Sequence, residues 1–154
     1  LVCNTVEELD NNFSSNNANM YATIESNMVK GISCTFLKAS SRASATLNSL
    51  ELQPLPNVDR ISFNFNSTLN EFIKHDLIYP FEMMANYLYS WGVPLDGKNM
   101  MSSDKYFENG KNFGVGVNFG QYMSLKNTVF RVNIQSGVSS EYQIYMFLHS
   151  QQQL

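Results

Sequence analysis

Charge is what this chain has least of. Only 15% of its 154 residues are Asp, Glu, Lys or Arg, against about 25% in an ordinary soluble domain. The formal net charge is −3, and no basic run occurs anywhere. Phosphate affinity rests on clustered Lys and Arg, so the composition argues against direct nucleic-acid binding. Long apolar runs are missing too. Nothing approaches the ~18 consecutive apolar residues of a membrane span, and the first residues lack a signal-peptide pattern. Cysteine is limited to Cys3 and Cys34, too few for a disulfide framework and without C-x-x-C spacing. The two read as free thiols, Cys34 as a small apolar strand residue. The chain starts at Leu1 and stops soon after a strand pattern, which reads as a fragment or processed piece of something longer.

Asn, Ser and Gln stand in the place of the missing charge. A neutral polar surface solubilises less well than a charged one, which fits a surface meant to be covered by neighbours. Aromatics reach 13%, with 11 Phe and 8 Tyr, and these suit pleated, half-buried surfaces better than helices. Period-2 alternation confirms the preference. Phe113, Val115, Val117 and Phe119 alternate with Gly114, Gly116 and Asn118; Phe130, Val132 and Ile134 alternate with Arg131, Asn133 and Gln135; Tyr142, Ile144, Met146 and Leu148 alternate with Gln143, Tyr145, Phe147 and His149. Three antiparallel strands, each with one buried face, are expected there.

Upstream, residues 1–20 hold Glu7, Glu8, Asp10 and an Asn/Ser-rich stretch. Polar runs bury too little to repay their ordering entropy, so 1–20 reads as an N-terminal arm or linker and 21–154 as one β-sandwich domain. A strand is expected over 28–37 with Ile32, Cys34 and Phe36 on one face, and Gly31 marking a bulge or close approach. Weaker strand signals cover 45–52, and 58–66 is a clear strand through Ile61, Phe63 and Phe65. Residues 71–79 fit a helical turn or an irregular strand equally well.

One helix is expected to start at Pro80, where the missing N–H costs nothing. Phe81, Met84, Leu88 and Trp91 share one face, Gly92 stops the helix, and Pro94 prevents continuation. A single short helix in a β chain commonly closes one end of a sandwich. The following polar span, 95–112, is a long loop with turn signals at Asp96-Gly97 and Asn109-Gly110. Loops of that length are functional or lie against a neighbour.

Chemical motifs do not survive their context tests. His75 and Asp76 beside Glu71 and Lys74 could be a base with an orienting carboxylate, but adjacent residues diverge in either a strand or a helix. His149 has no metal-ligand spacing around it. The glycines from Gly110 to Gly116 run into a strand, whereas a phosphate cradle needs a following helix N-terminus. Gly114 and Gly116 read instead as sites where another segment or a large aromatic packs over the strand. Sequons at Asn12 and Asn66 are expected by chance in so Asn- and Ser-rich a chain. No catalytic residue, metal or cofactor is called for, and the chain does not read as an enzyme. Trp91 belongs with the apolar helix face, while Tyr87 and Tyr89 lie off it. Those tyrosines, with Asp96, Asn99 and Tyr106 of the long loop, are the interface candidates.

The order of features resembles one family. A Pro-preceded strand with an I-x-F-x-F core (56–66) leads through a helix-bearing excursion to a Gly-rich strand (112–120), an apolar strand ending Val-Phe-Arg-Val-Asn133, and a closing Tyr142-Gln-Ile-Tyr-Met-Phe-Leu148 strand. This looks like the C-terminal jelly roll of the double jelly-roll major capsid proteins of icosahedral DNA viruses. The resemblance covers residues 54–150, with one jelly roll present instead of two. It implies an all-β, jelly-roll-like two-sheet antiparallel sandwich with one short helix in a long connection. It further implies a virion role: a capsid subunit or segment that self-assembles as a homo-oligomer, trimer or pentamer, and meets other capsid chains. The competing reading is a carbohydrate- or receptor-binding sandwich of fibre-head or adhesin type, which would use exposed Tyr or Trp.

Overall fold

The computed structural model describes residues 2–42, 59–65, 73–76, 80–92 and 114–153. They form eight strands and two helices: β1 (Val2–Phe13), β2 (Asn17–Ile24), β3 (Val29–Lys38), the single turn α1 (Ala39–Arg42), β4 (Arg60–Phe65), β5 (Ile73–Asp76), α2 (Pro80–Ser90), β6 (Gly114–Met123), β7 (Thr128–Gln135) and β8 (Tyr142–Gln153). The expected strand at 45–52 and the loop at 95–112 lie outside the described residues.

Two four-stranded sheets result, sheet A ordered β1-β8-β3-β6 and sheet B ordered β2-β7-β4-β5. The pairing follows one rule. Val2 faces Gln153, Asn17 faces Gln135, Ile32 faces Val117 and Arg60 faces Asp76. Partners therefore step inward from both ends of the chain together, as in one long antiparallel hairpin. Folding that ribbon over itself adds the lateral pairs β3–β8 and β4–β7 and produces the two Greek keys of a jelly roll. The all-β sandwich expected from the alternating pattern is thus present.

The core lies between the sheets, where alternate residues point inward. Ile32, Cys34 and Phe36 of β3, Ile61 and Phe63 of β4, Val115 and Val117 of β6, and Ile144 and Leu148 of β8 have no exposed surface. Phe130 of β7 stacks on Phe63 at 5.6 Å, while Phe13 meets Phe36 edge-on and stacks on Tyr142. Each such side chain contributes about 1.5–3 kcal/mol of burial free energy.

The N-terminal segment corrects its sequence reading. Residues 2–13 are no arm: β1 pairs with β8 along its whole length, and 17–20 begin β2. The sandwich therefore includes residues placed in a linker. A polar strand can be held by ladder hydrogen bonds to an apolar neighbour, and β8 supplies that neighbour; single-strand composition does not register it. The ambiguous 71–79 stretch contains a strand, β5, paired with β4.

Helix α2 starts at Pro80 and ends before Gly92, whose φ of 74° is the left-handed stop expected of it. Its location differs from expectation. Instead of closing an end, it lies against the outer face of sheet A over β6. Gly114 and Gly116 leave the room: a β-carbon on Gly114 would run into the Tyr87 ring, and one on Gly116 would meet the Ser90 side chain. A β-carbon at Gly31, where the β3 register shifts, would stand 2.9 Å from the Val117 carbonyl and 3.2 Å from that of Ser90. Gly31 thus serves both purposes expected of it, bulge and close approach. Met84, Tyr87 and Leu88 join the buried core through this contact. No helix among the described residues is long and apolar enough to cross a membrane.

Candidate assembly interface

Outside the core, the two outer faces of the sandwich carry the exposed side chains. On sheet A, the last turn of α2 is tied to β6 by the Asn118 side-chain amide, which donates to the Tyr89 carbonyl at 2.6 Å. The Ser90 hydroxyl donates to the Tyr87 carbonyl, also at 2.6 Å. Just past the helix, Trp91 turns onto β8. Its ring lies 4.5 Å from His149 and 5.4 Å from Phe147, both outward residues of that strand, and edge-on to Tyr87 at 6.5 Å. Trp91 is still 41% exposed, so the core role expected for it gives way to a half-open aromatic patch.

The His149 Nε2 sits 2.9 Å from the Ser33 hydroxyl. A serine beside a histidine nitrogen is the geometry of a nucleophile and its base. Ser33, however, has no exposed surface and stands on β3, between β8 and β6. A substrate cannot reach it. The pair is a polar tie across the sheet, and partial burial pushes the His149 imidazole below its usual value, favouring the neutral ring. Burial also pushes the Cys34 thiol far above the ordinary thiol range, as expected of an inert core cysteine. It raises the Tyr87 phenol as well, opposed in part by a hydrogen bond that the Trp91 indole N–H donates to it.

Sheet B presents a different outer face. Asn17 and Asn19 of β2 line up beside Asn133 of β7, whose amide donates to the Asn19 side-chain oxygen at 2.9 Å. Tyr21, 57% exposed, stands directly across from Arg131. On the other side of Arg131 lies Asn64 of β4, and across from Asn133 lies Ser62. Asn64 and Ser62 are fully buried, yet the Asn64 amide, the Ser62 hydroxyl and the Arg131 Nε–H make no hydrogen bond. Orphan polar groups of this kind are rare and costly.

The interface candidates separate. Tyr87 is a core residue, 8% exposed and sealed against Gly114, which corrects its placement off the apolar face; the glycines let the ring sink into the sheet. Tyr89 is 43% exposed. Asp96, Asn99 and Tyr106 fall outside the described residues. The aromatic patch of Trp91, Phe147 and His149, and the Tyr21–Arg131 pair, were missing from the expectation. Strand parity places Phe147, His149 and Arg131 outward, but only the pairing of β8 with β1 and of β7 with β2 reveals what stands beside them.

No family model and no curated protein sequence matches the chain. Among solved structures, it is similar to the major capsid protein P2 from bacteriophage PM2, with a TM-score of 0.50 and 10% identity over 99% of the chain. The fold is an all-β jelly roll similar to that of P2. The match takes in 46% of the P2 chain, so the jelly roll described here spans about half the length of that capsid protein.

Proposed function

We propose that the chain is a structural virion protein, a capsid subunit or capsid-protein segment that self-assembles into a shell without catalysis. The observation that carries this reading is the strand order, β1-β8-β3-β6 over β2-β7-β4-β5, together with its likeness to a phage major capsid protein along almost the whole chain. Coverage of less than half of that protein fits one jelly roll of a subunit built from two. A surface poor in charge supports the same role, since it can be covered by neighbours without stranding many ions. On this reading the partners are further copies of the chain, as trimers or pentamers, and other capsid chains, and the location is the virion. The 95–112 loop, with Asp96, Asn99 and Tyr106, and the exposed Tyr89 are contact points with those neighbours. Sedimentation and negative-stain imaging of the purified protein at rising concentration test it: defined oligomers or shells are expected, and a monomer at every concentration overturns it.

One observation favours a second reading. Tyr89 and Trp91 stand two positions apart along the chain and are both about two-fifths exposed, which suits a carbohydrate- or receptor-binding module. Glycan binding abolished by Tyr89→Ala would decide for that module over the shell.

A further inference from the structure

The two outer faces carry opposite charges that no described residue neutralises. Glu8 is exposed on sheet A, directly across from Phe147 and beside the Trp91 patch. Arg131 is half-buried on sheet B, between Tyr21 and Asn64, with its Nε–H unsatisfied. Neither has an ion-pair partner among the described residues. They cannot serve each other, because the outer faces of a sandwich point in opposite directions with the core between them. A partly desolvated guanidinium with an unused donor is an unfavourable state that an incoming carboxylate relieves.

We propose that the β1–β8 part of the outer face of sheet A in one copy, beside α2, packs against the β2–β7 part of the outer face of sheet B in the next copy, so that Glu8 meets Arg131. The complementarity extends beyond the charges. Glu8 stands across from Phe147, which packs against Trp91, and Arg131 stands across from Tyr21, so each face offers an aromatic group next to its ion. Aromatic and Arg side chains are those enriched at interface centres. Every copy carries both surfaces, and the contact is therefore heterologous: it repeats from copy to copy and builds a ring or an extended array instead of stopping at a two-fold dimer. This inference rests on the assembly reading above and names the surface through which it acts.

A charge-swap series on the full chain tests it, read by analytical ultracentrifugation or light scattering over a range of concentrations at low and high salt. E8R and R131E should each weaken self-association at least tenfold, because each places like charges in contact. The E8R/R131E double variant should return to within about threefold of the unmodified chain, since the pair is restored with its polarity reversed. The milder E8Q and R131Q should weaken association with their thermal unfolding unchanged, which separates a lost contact from a damaged fold. Self-association that ignores both swaps, or a double variant no better than the singles, overturns the proposed contact and leaves the shell role standing. A chain that stays monomeric throughout overturns both.

Discussion

The ring of Tyr87 occupies the space in which a β-carbon on Gly114 would stand. Two residues 27 positions apart by number thus fix the height at which α2 rides on sheet A. Gly114→Ala forces the ring outward, and overpacking of that kind costs about 1–3 kcal/mol, or roughly 2–4 °C of Tm per kcal/mol at this chain length. The penalty should shrink in a Tyr87→Ala background, where the space is free. Gly120 provides the contrast: a β-carbon there meets nothing, and its φ of 72° is one that Asn tolerates. Gly120→Asn should lower Tm only by the small backbone cost of the left-handed conformation, and less than Gly114→Ala does. Thermal melts of the four variants check the set.

The orphan groups of β4 give a prediction of opposite sign. Ser62→Ala removes a buried hydroxyl that has no partner and changes the volume little. Deleting an unsatisfied buried group relieves its desolvation cost, so stability should rise by about 1 kcal/mol, read as a higher urea midpoint at constant m-value. A lower midpoint would show that the hydroxyl is hydrogen-bonded after all.

Acid should loosen the fold through His149. Burial lowers its folded-state pKa below the unfolded value, so above about pH 6.5 both states are neutral and stability is flat. As the pH falls below that, the unfolded chain takes up a proton that the folded chain resists, and stability declines until the folded pKa is passed. Urea midpoints measured from pH 8 downward should show this decline, and His149→Phe should reduce it.

Cys34 should be silent to thiol reagents. Its thiol is fully buried and held far above the ordinary range, so the reactive thiolate is absent at neutral pH. In a Cys3→Ser background, labelling by a chromogenic disulfide should be negligible in buffer and complete in denaturant. Rapid native labelling would mean that β3 opens without global unfolding.

Strand identity was legible wherever inward residues were apolar and outward ones polar, as in β7 and β8. The stop at Gly92 and the close approach at Gly114 and Gly116 were legible too, because glycine chemistry is local. What could not be read was anything decided by a partner strand. β1 is rich in polar residues (Asn4, Thr5, Glu7, Glu8, Asp10 and Asn11), and its place in the sheet comes from β8, more than a hundred residues away. The exposure of Trp91 depends on where the helix ends relative to β8, not on helical spacing. Arg131 and Tyr21 likewise become neighbours only through the β2–β7 register.

The order of sheet A also dictates a timetable. β8 is the last of the eight strands in sequence, yet it lies inside the sheet between β1 and β3. Neither the first strand nor the third can complete its ladder until the final one has been made and threaded into the gap. Contacts this distant in sequence carry a large loop-closure entropy and form slowly. During synthesis, β1 and β3 therefore wait with open edges until β8 has been made, and sheet A is incomplete before then. The arrival of β8 is thus the step that closes sheet A.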